Sequence, residues 1–458
     1  MNLMRKCLLT LIVFGYITFA YGQDNKEVLE LSVSEAQLYA IQNNRSMQAA
    51  NIDVLKAEKK VWETLAAGLP QINLAANYLH QFVIPEVSFG PYLDVASLPD
   101  GALFKNDILN AYKDSPPIQL GVADNTTIDL TVSQLIFSGS YIVGLQASKV
   151  FKKITDQNLT KTEDQTKESV ATTYYLVLVL GENHRLLNES LNSVDQTYKD
   201  MVQMNEQGLI EETDVDQIKI NRSNIQTLIT SMESQKEIAV KLLKYQLGLE
   251  FDQLIVLTDS LHSIIDKGNI LYMASPEYDV NQSIDYQMIL KQEEASALFL
   301  KLEKSQYLPT IAAFYRHQEQ TNQPSFNFAV KDVVGATLSL PITSSGMRKS
   351  RISQAKFDLE KSRLTKDNVE QGLIMEFETA RNNYQTAFNN FVTNKESMEL
   401  GRKVYDKTVI KFREGVSSSF ELTQNQNQFL TTESNYYNSV LSLLNAKAKL
   451  DRILNSAK

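Results

Sequence analysis

Cysteine is nearly absent: Cys7 is the only one in 458 residues. That excludes a disulfide framework, a paired-cysteine metal site and any thiol chemistry downstream of the N-terminus. Proline and glycine are scarce as well, at 10 and 17 residues, which argues against a loop-rich fold and for long regular elements. No proline occurs from residue 118 to 275, so nothing forces a break in a helix there. Basic excess is missing too. The net charge is −9 with 22% charged residues, so nucleic acid is not an expected partner. Beyond the N-terminus no apolar run reaches 18 residues, and no internal transmembrane helix is encoded. His80, His184, His262 and His317 are scattered without metal-ligand spacing. No HExxH, P-loop, GxSxG or GxGxxG pattern occurs. The chain therefore reads as no enzyme, with no catalytic residue, cofactor or metal.

What is present begins with an export signal over residues 1–22. Arg5 and Lys6 form its charged part, Leu8 to Phe19 its apolar part, and Ala20-Tyr21-Gly22 a small-x-small site before Gln23. A membrane anchor is the alternative reading. Cys7 lies upstream of the apolar part, which excludes it as a lipid-attachment site.

The stretch from Ser140 to Leu247 organises the rest. It reads as a very long helix, a turn at Gly208 and a return helix. Val177, Leu180, His184, Leu187, Leu191, Val194, Tyr198 and Met201 alternate three and four apart, a heptad seam that requires partner helices. A helix from Ser140 to Glu206 would run about 100 Å at about 1.5 Å per residue.

In chain order, 32–68 is expected to be one helix, capped by Ser32 or Ser34 and stopped by Leu69-Pro70. Strands follow at about 71–82 and 126–137, each alternating apolar and polar residues. Between them, 83–124 reads as a long loop with one helical turn around 104–112. A connector covers 249–281. The grammar then repeats over 282–458: helix, Leu308-Pro309, strands at about 310–320 and 331–340, long helix from Met347, turn at Gly415, return helix. Gly139 and Gly346, Gly208 and Gly415, and Leu247 and Leu454 are each separated by 207 residues. Ordered landmarks at one offset point to duplication of a structural unit, with repeats at 23–248 and 282–458. Four strands cannot close a barrel, and open edges are not tolerated in lipid. Either the sheet is soluble or copies pool their strands, three copies giving twelve.

This order of motifs resembles the TolC family of trimeric outer-membrane ducts. The resemblance rests on the Leu-Pro pairs 69–70 and 308–309, the Ser-Gly joints 138–139 and 345–346, and the glycine tips, above all 412–422. It implies a mainly α chain with a small β part, a trimeric 12-stranded barrel in the outer membrane of a Gram-negative bacterium, and a periplasmic helical tunnel. It also implies docking to a periplasmic adaptor and an inner-membrane pump, in a tripartite efflux or type I secretion system. The cargo stays open. The competing reading is a secreted coiled-coil spacer or adhesin with a small β-domain.

On the resemblance, Glu421 fits the first acidic position of a periplasmic gate, and Gln424 falls on the second. Asp214 and Asp216 are the corresponding candidates in the first repeat, and 249–281 becomes an equatorial region. For Glu421 and Asp214 the alternative is simple stabilisation of a helix N-terminus. Gly208, Leu209, Gly415, Val416 and Ser417 are candidate adaptor contacts, or else ordinary hairpin turns. Leu422, Phe429, Tyr436, Leu443 and Leu450 recur every seventh residue, as packing. Lipid-facing candidates are Ile72, Leu74, Tyr78, Ile128, Leu130, Val132, Val334, Ala336, Leu338 and Leu340. Gln71, Asn73, Asp129, Thr131, Thr337 and Ser339 would line the lumen. The 83–124 loop would be extracellular.

Overall fold

The computed structural model describes residues 28–87, 118–267, 278–323, 327 and 329–455. The expected signal, the helical turn at 104–112 and part of the connector lie outside the described residues. The described residues form two compact units, one from 28–51, 159–284 and 371–455, the other from 52–158 and 285–370.

The second unit holds a four-stranded antiparallel sheet of β2 (Gln71–His80), β5 (Asp124–Ser138), β7 (Thr310–Gln320) and β8 (Asp332–Ser339), in the order β2-β5-β7-β8. The expected strands are thus present within two residues at each end. Among the described residues β2 and β8 are the open edges. A two-residue antiparallel pair joins β3 (Glu86–Val87) to β4 (Ile118–Gln119). Helices α2 (Arg45–Ala66) and α6 (Ile284–Ser305) precede the two hairpins, and α3 (Gly139–Glu206) and α7 (Met347–Arg413) follow them. The Leu-Pro pairs end the helices as expected: Leu69 N donates to Ala66 O, and Leu308 N to Ser305 O. The two strand-to-helix joints differ. Ser138 ends β5 and Gly139 starts α3 directly, whereas 340–346 separate β8 from α7. That second joint is held by the buried Arg348, whose Nη1 donates to Pro341 O at 2.8 Å and whose guanidinium lies over the Tyr307 ring.

The first unit is built from the remaining lengths of α3 and α7, their return helices α4 (Glu212–Leu247) and α8 (Ser419–Asn455), and α1 (Val33–Asn43). α3 and α7 have 68 and 67 residues, and α4 and α8 have 36 and 37, so the duplication holds in length. The heptad seam is buried or half-buried throughout, as are Leu422, Phe429, Tyr436, Leu443 and Leu450. Two features were not legible in the periodicity. β1 (Leu29–Leu31) pairs in parallel with β6 (Ile255–Leu257), and short α5 (Leu261–Lys267) follows within the connector. Tyr174 fixes that pair by donating its hydroxyl to Leu31 O at 2.9 Å.

The single helix expected over 32–68 is corrected: it breaks at Asn44, which is extended at φ −61° and ψ 132°. The break is built in by side-chain chemistry. Asn44 Oδ1 caps α2 by accepting from Ser46 N at 2.7 Å and Met47 N at 3.3 Å. Its Nδ2 donates to Gln246 O at 2.6 Å. Opposite lies Gly248, left-handed at φ +76°, where a methyl group would sit 2.3 Å from Asn43 O. Gly208 shares the left-handed conformation but has open space around it. Gly208→Ala should therefore cost only the conformational term, about 1–2 kcal/mol. Gly248→Ala should cost distinctly more, because backbone must move. Thermal unfolding of the two variants in detergent should rank them in that order.

Candidate functional site

The two tips are built alike. At the first, Gly208 at φ +71° lets Leu209 N reach Met204 O at 2.9 Å and Gly208 N reach Asn205 O at 2.8 Å. At the second, Gly415 at φ +75° lets Val416 N reach Lys411 O at 2.9 Å and Gly415 N reach Phe412 O at 3.0 Å. Both are left-handed caps that satisfy the last carbonyls of the long helices. The residue after each glycine, Leu209 or Val416, points apolar surface into solvent, as does Phe420.

The four gate candidates do not form one acidic cluster within the chain. Asp214 is half-buried. It accepts from Glu211 N at 3.2 Å, as the third residue of its helix, and from Ser419 Oγ on the other hairpin. It therefore fastens α4 to the start of α8. Glu421 is exposed and accepts from Ser417 Oγ at 2.8 Å, while its own N–H donates to Ser418 Oγ at 3.2 Å. Gln424 is exposed one turn later on the same face, and Asp216 is exposed on α4. Ser417 is thus tied to the gate candidate as well as to the tip.

Below the tips lies a polar network that periodicity did not reveal. Asn221 donates to Gln426 Oε1 at 2.8 Å with both residues buried, and Gln426 Nε2 reaches Ser190 Oγ at 3.4 Å. Tyr405 and Ser193 hydroxyls lie 3.2 Å apart, and Arg222 pairs with Asp195. These polar links run through an apolar cluster of Val194, Met201, Ile218, Ile225, Tyr405, Phe412 and Leu422. A buried amide that loses its partner costs about 1–3 kcal/mol, so the network specifies how the hairpins register. The sequence signal for it was available: amides at positions of α4 and α8 where the seam calls for apolar residues.

Further along α8, the buried Glu433 faces Glu182, Arg185 and Glu189 of α3 and Arg402 of α7. Arg185 already pairs with both Glu182 and Glu189. Burial holds the Glu433 carboxyl up at about 7, against an ordinary 4.5. An acid with a raised folded pKa weakens the fold as pH climbs from the unfolded to the folded value. Glu433→Gln should therefore leave thermal stability nearly unchanged near pH 4.5 and raise it at pH 8, by up to about 3 kcal/mol. Melting curves at the two pH values check this.

In the sheet, register places the predicted lipid-facing residues together. Ile72, Val132, Tyr315 and Val334 form one row, and Leu74 and Leu130 lie in the next. Ile128, Ala336 and Leu338 share that face, as does Tyr78; Leu340 lies one residue beyond β8. Gln71, Asn73, Asp129, Thr131, Thr337 and Ser339 share the opposite face. A β-bulge between Leu135 and Phe137 lets both faces continue toward α3. Among the described residues no helix is long and apolar enough to cross a membrane, and no group of histidines and carboxylates is arranged to hold a metal.

Two repeats that share one four-stranded sheet and carry glycine hairpins form the fold of solved outer-membrane channels. CusC matches over 93% of this chain and 92% of its own, at TM-score 0.73 and 13% identity. CmeC of Campylobacter jejuni matches over 93% and 86%, at 0.70 and 15%. MtrE of Neisseria gonorrhoeae, solved in its open state, matches over 92% and 88%, at 0.71 and 12%. In sequence, residues 287–456 match the outer membrane efflux protein family. No curated protein sequence matches the chain. The second repeat thus matches the outer membrane efflux protein family in sequence, and 92–93% of the chain matches the fold of these solved channels. Both bear out the resemblance to TolC-like channels and support a role as an efflux duct.

Proposed function

We propose that the protein is the passive exit duct of a tripartite efflux or type I secretion system in the outer membrane of a Gram-negative bacterium. The observation that carries this reading is the sheet: one face aliphatic and exposed, both outer edges unpaired among the described residues. A secreted spacer has no use for such a face. Unpaired N–H and C=O groups are not tolerated in hydrocarbon, so β2 of one copy pairs with β8 of the next. Three copies then supply an even, twelve-stranded barrel. The helices joined to those edges support the same pairing. α2 leaves Ile52, Leu55 and Trp62 exposed, and α7 leaves Phe357 and Leu364 exposed. These are two unpartnered stripes that a head-to-tail ring would cover.

In this reading Gln71, Asn73, Asp129, Thr131, Thr337 and Ser339 line the lumen, and the loop between β2 and β5 is extracellular. The tips at Gly208–Leu209 and Gly415–Ser417 meet a periplasmic adaptor, while an inner-membrane pump supplies the energy and selects the cargo. Glu421 contributes the charge at the periplasmic mouth, with Gln424 as a neutral second ring, and a ring of one sign selects cations. Asp214 has a separate task, holding the hairpins together.

In planar bilayers, detergent-extracted protein should give discrete, cation-preferring openings. Glu421→Ala should reduce that preference. Asp214→Ala should instead lengthen or multiply openings with little change in selectivity. Unchanged selectivity in Glu421→Ala would remove that residue from the gate. The edge pairing is checked by disulfide trapping: cysteines placed along β2 and β8 should cross-link between copies into a ladder ending at three.

A further inference from the structure

The strand order β2-β5-β7-β8 sets the order of the helices joined to it: α2, α3, α6, α7. α3 is thus flanked by α2 and α6. Lys152 of α3 pairs with Glu58 of α2 at 3.4 Å. The Phe151 ring lies 5.8 Å from the Phe299 ring of α6, centroid to centroid. Between these contacts the three helices line an open cavity of about 1070 Å³, wholly within the second unit.

The lining is divided by chemistry. Phe151 of α3 and Met288, Phe299 and Leu302 of α6 make an apolar floor. The two phenylalanines stay 40% and 44% exposed. α2 contributes Lys56, Lys59 and Lys60, and α3 contributes Lys152. Against these lysines stand only two lining carboxylates, Asp53 and Glu63, so the cavity is cationic in a chain of net charge −9. Lys60 pairs with Glu63 at 2.7 Å, and Lys152 with Asp156 at 3.1 Å as well as with Glu58. Lys56 and Lys59 make no ion pair among the described residues. Gly144 of α3 also lines the cavity, at its sheet end. Glycine inside a helix is destabilising relative to alanine. Apart from its own helix, nothing lies within 4 Å of where a methyl group on Gly144 would stand. Packing within the chain therefore does not call for this glycine, and it leaves the cavity room. Nor is this the face that a neighbouring copy would cover. At 3.6 residues per turn, Lys56 and Lys60 lie roughly 130° around α2 from Leu55 and Trp62.

We infer that this cavity binds an amphipathic anion, its apolar chain over Phe151, Phe299 and Leu302 and its acidic head between Lys56 and Lys60. Pockets of this kind bind through apolar walls and are made specific by a few placed polar groups. A neutral apolar molecule would leave the lysines unused, and a compact hydrophilic anion would leave the phenylalanines wet. A membrane phospholipid and a soluble single-chain amphiphile share the required chemistry. The site lies within one chain and does not depend on the duct reading.

The probe is dodecanoic acid with a diazirine at the chain end, irradiated with the full chain in a neutral maltoside detergent. At about pH 8 the acid is ionised. Adducts are located by peptide mass spectrometry. The site predicts labelling concentrated in peptides that hold Gly144, Phe299 and Leu302. The dodecanol analogue should label them roughly fivefold less, the most that one exposed ion pair is worth. Lys56→Gln with Lys60→Gln, both at exposed positions, should bring the acid down to the level of the alcohol. Gly144→Leu fills the cavity and favours the helix, so it should abolish labelling without loss of thermal stability. Displacement of the probe by phosphatidylglycerol assigns the site to membrane lipid, and displacement by dodecyl sulfate alone assigns it to single-chain amphiphiles. Displacement by neither, equal labelling by acid and alcohol, labelling that survives both sets of substitutions, or adducts confined to the strands would overturn the site. None of those results bears on the duct reading, which conductance tests separately.

Discussion

The whole arrangement depends on two rows of unpaired backbone groups. β2 and β8 are the outer strands of a four-stranded antiparallel sheet, and neither outer edge has a partner within the chain among the described residues. The face they share is aliphatic and exposed, with Ile72, Leu74, Val334 and Leu338 each well open to the surroundings. Water can satisfy such edges, but water and an aliphatic face make contrary demands on the same strand. Lipid accepts the face and rejects the edges. In the proposed duct, pairing edge to edge with further copies meets both demands, and such a head-to-tail contact closes a ring when the rotation between copies allows it.

The helical hairpins answer a different constraint. Helices of this length cannot bury themselves in one compact core, so each needs a neighbour along its length. The apolar seam supplies the bulk of that packing but does not distinguish one register from another, since a slide by one heptad would bury similar residues. Asn221 with Gln426, Tyr405 with Ser193, and Asp214 with Ser419 do distinguish registers, because each is satisfied at one alignment only. The buried Glu433 sits among two arginines and two further carboxylates in the same packed region. Its presence makes that contact sensitive to pH, which a purely apolar seam would not be.

Much of this was legible in the residues. Alternation located all four long strands, the 207-residue offset located both hairpins, and the seam from Val177 to Met201 is buried or half-buried as its spacing requires. What escaped was set by tertiary contacts. The break at Asn44 interrupts a stretch with good helical composition: its side chain caps α2 and also donates to a carbonyl on Gln246 some 202 residues away. β1 and β6 are three residues each and pair across more than two hundred positions, too short and too distant for periodicity to register. Asp214 read equally well as a gate or as a helix-end charge. Only the position of Ser419 shows that it joins two hairpins. Tyr-x-His-Gln recurs at 78–81 and 315–318 in the sequence, but Asp124 and Asp332, which accept from Tyr78 and Tyr315, lie on the partner strands and enter only through register.

The most direct test of the edge argument is the mass of the particle the protein forms. Native mass spectrometry of the detergent-extracted chain, without cross-linking, counts copies directly. The account predicts a single species of three copies, dissociating only as whole subunits. A stable monomer, or a dimer with no trimer, would contradict it, because either would leave the edges of β2 and β8 without the partners that lipid requires.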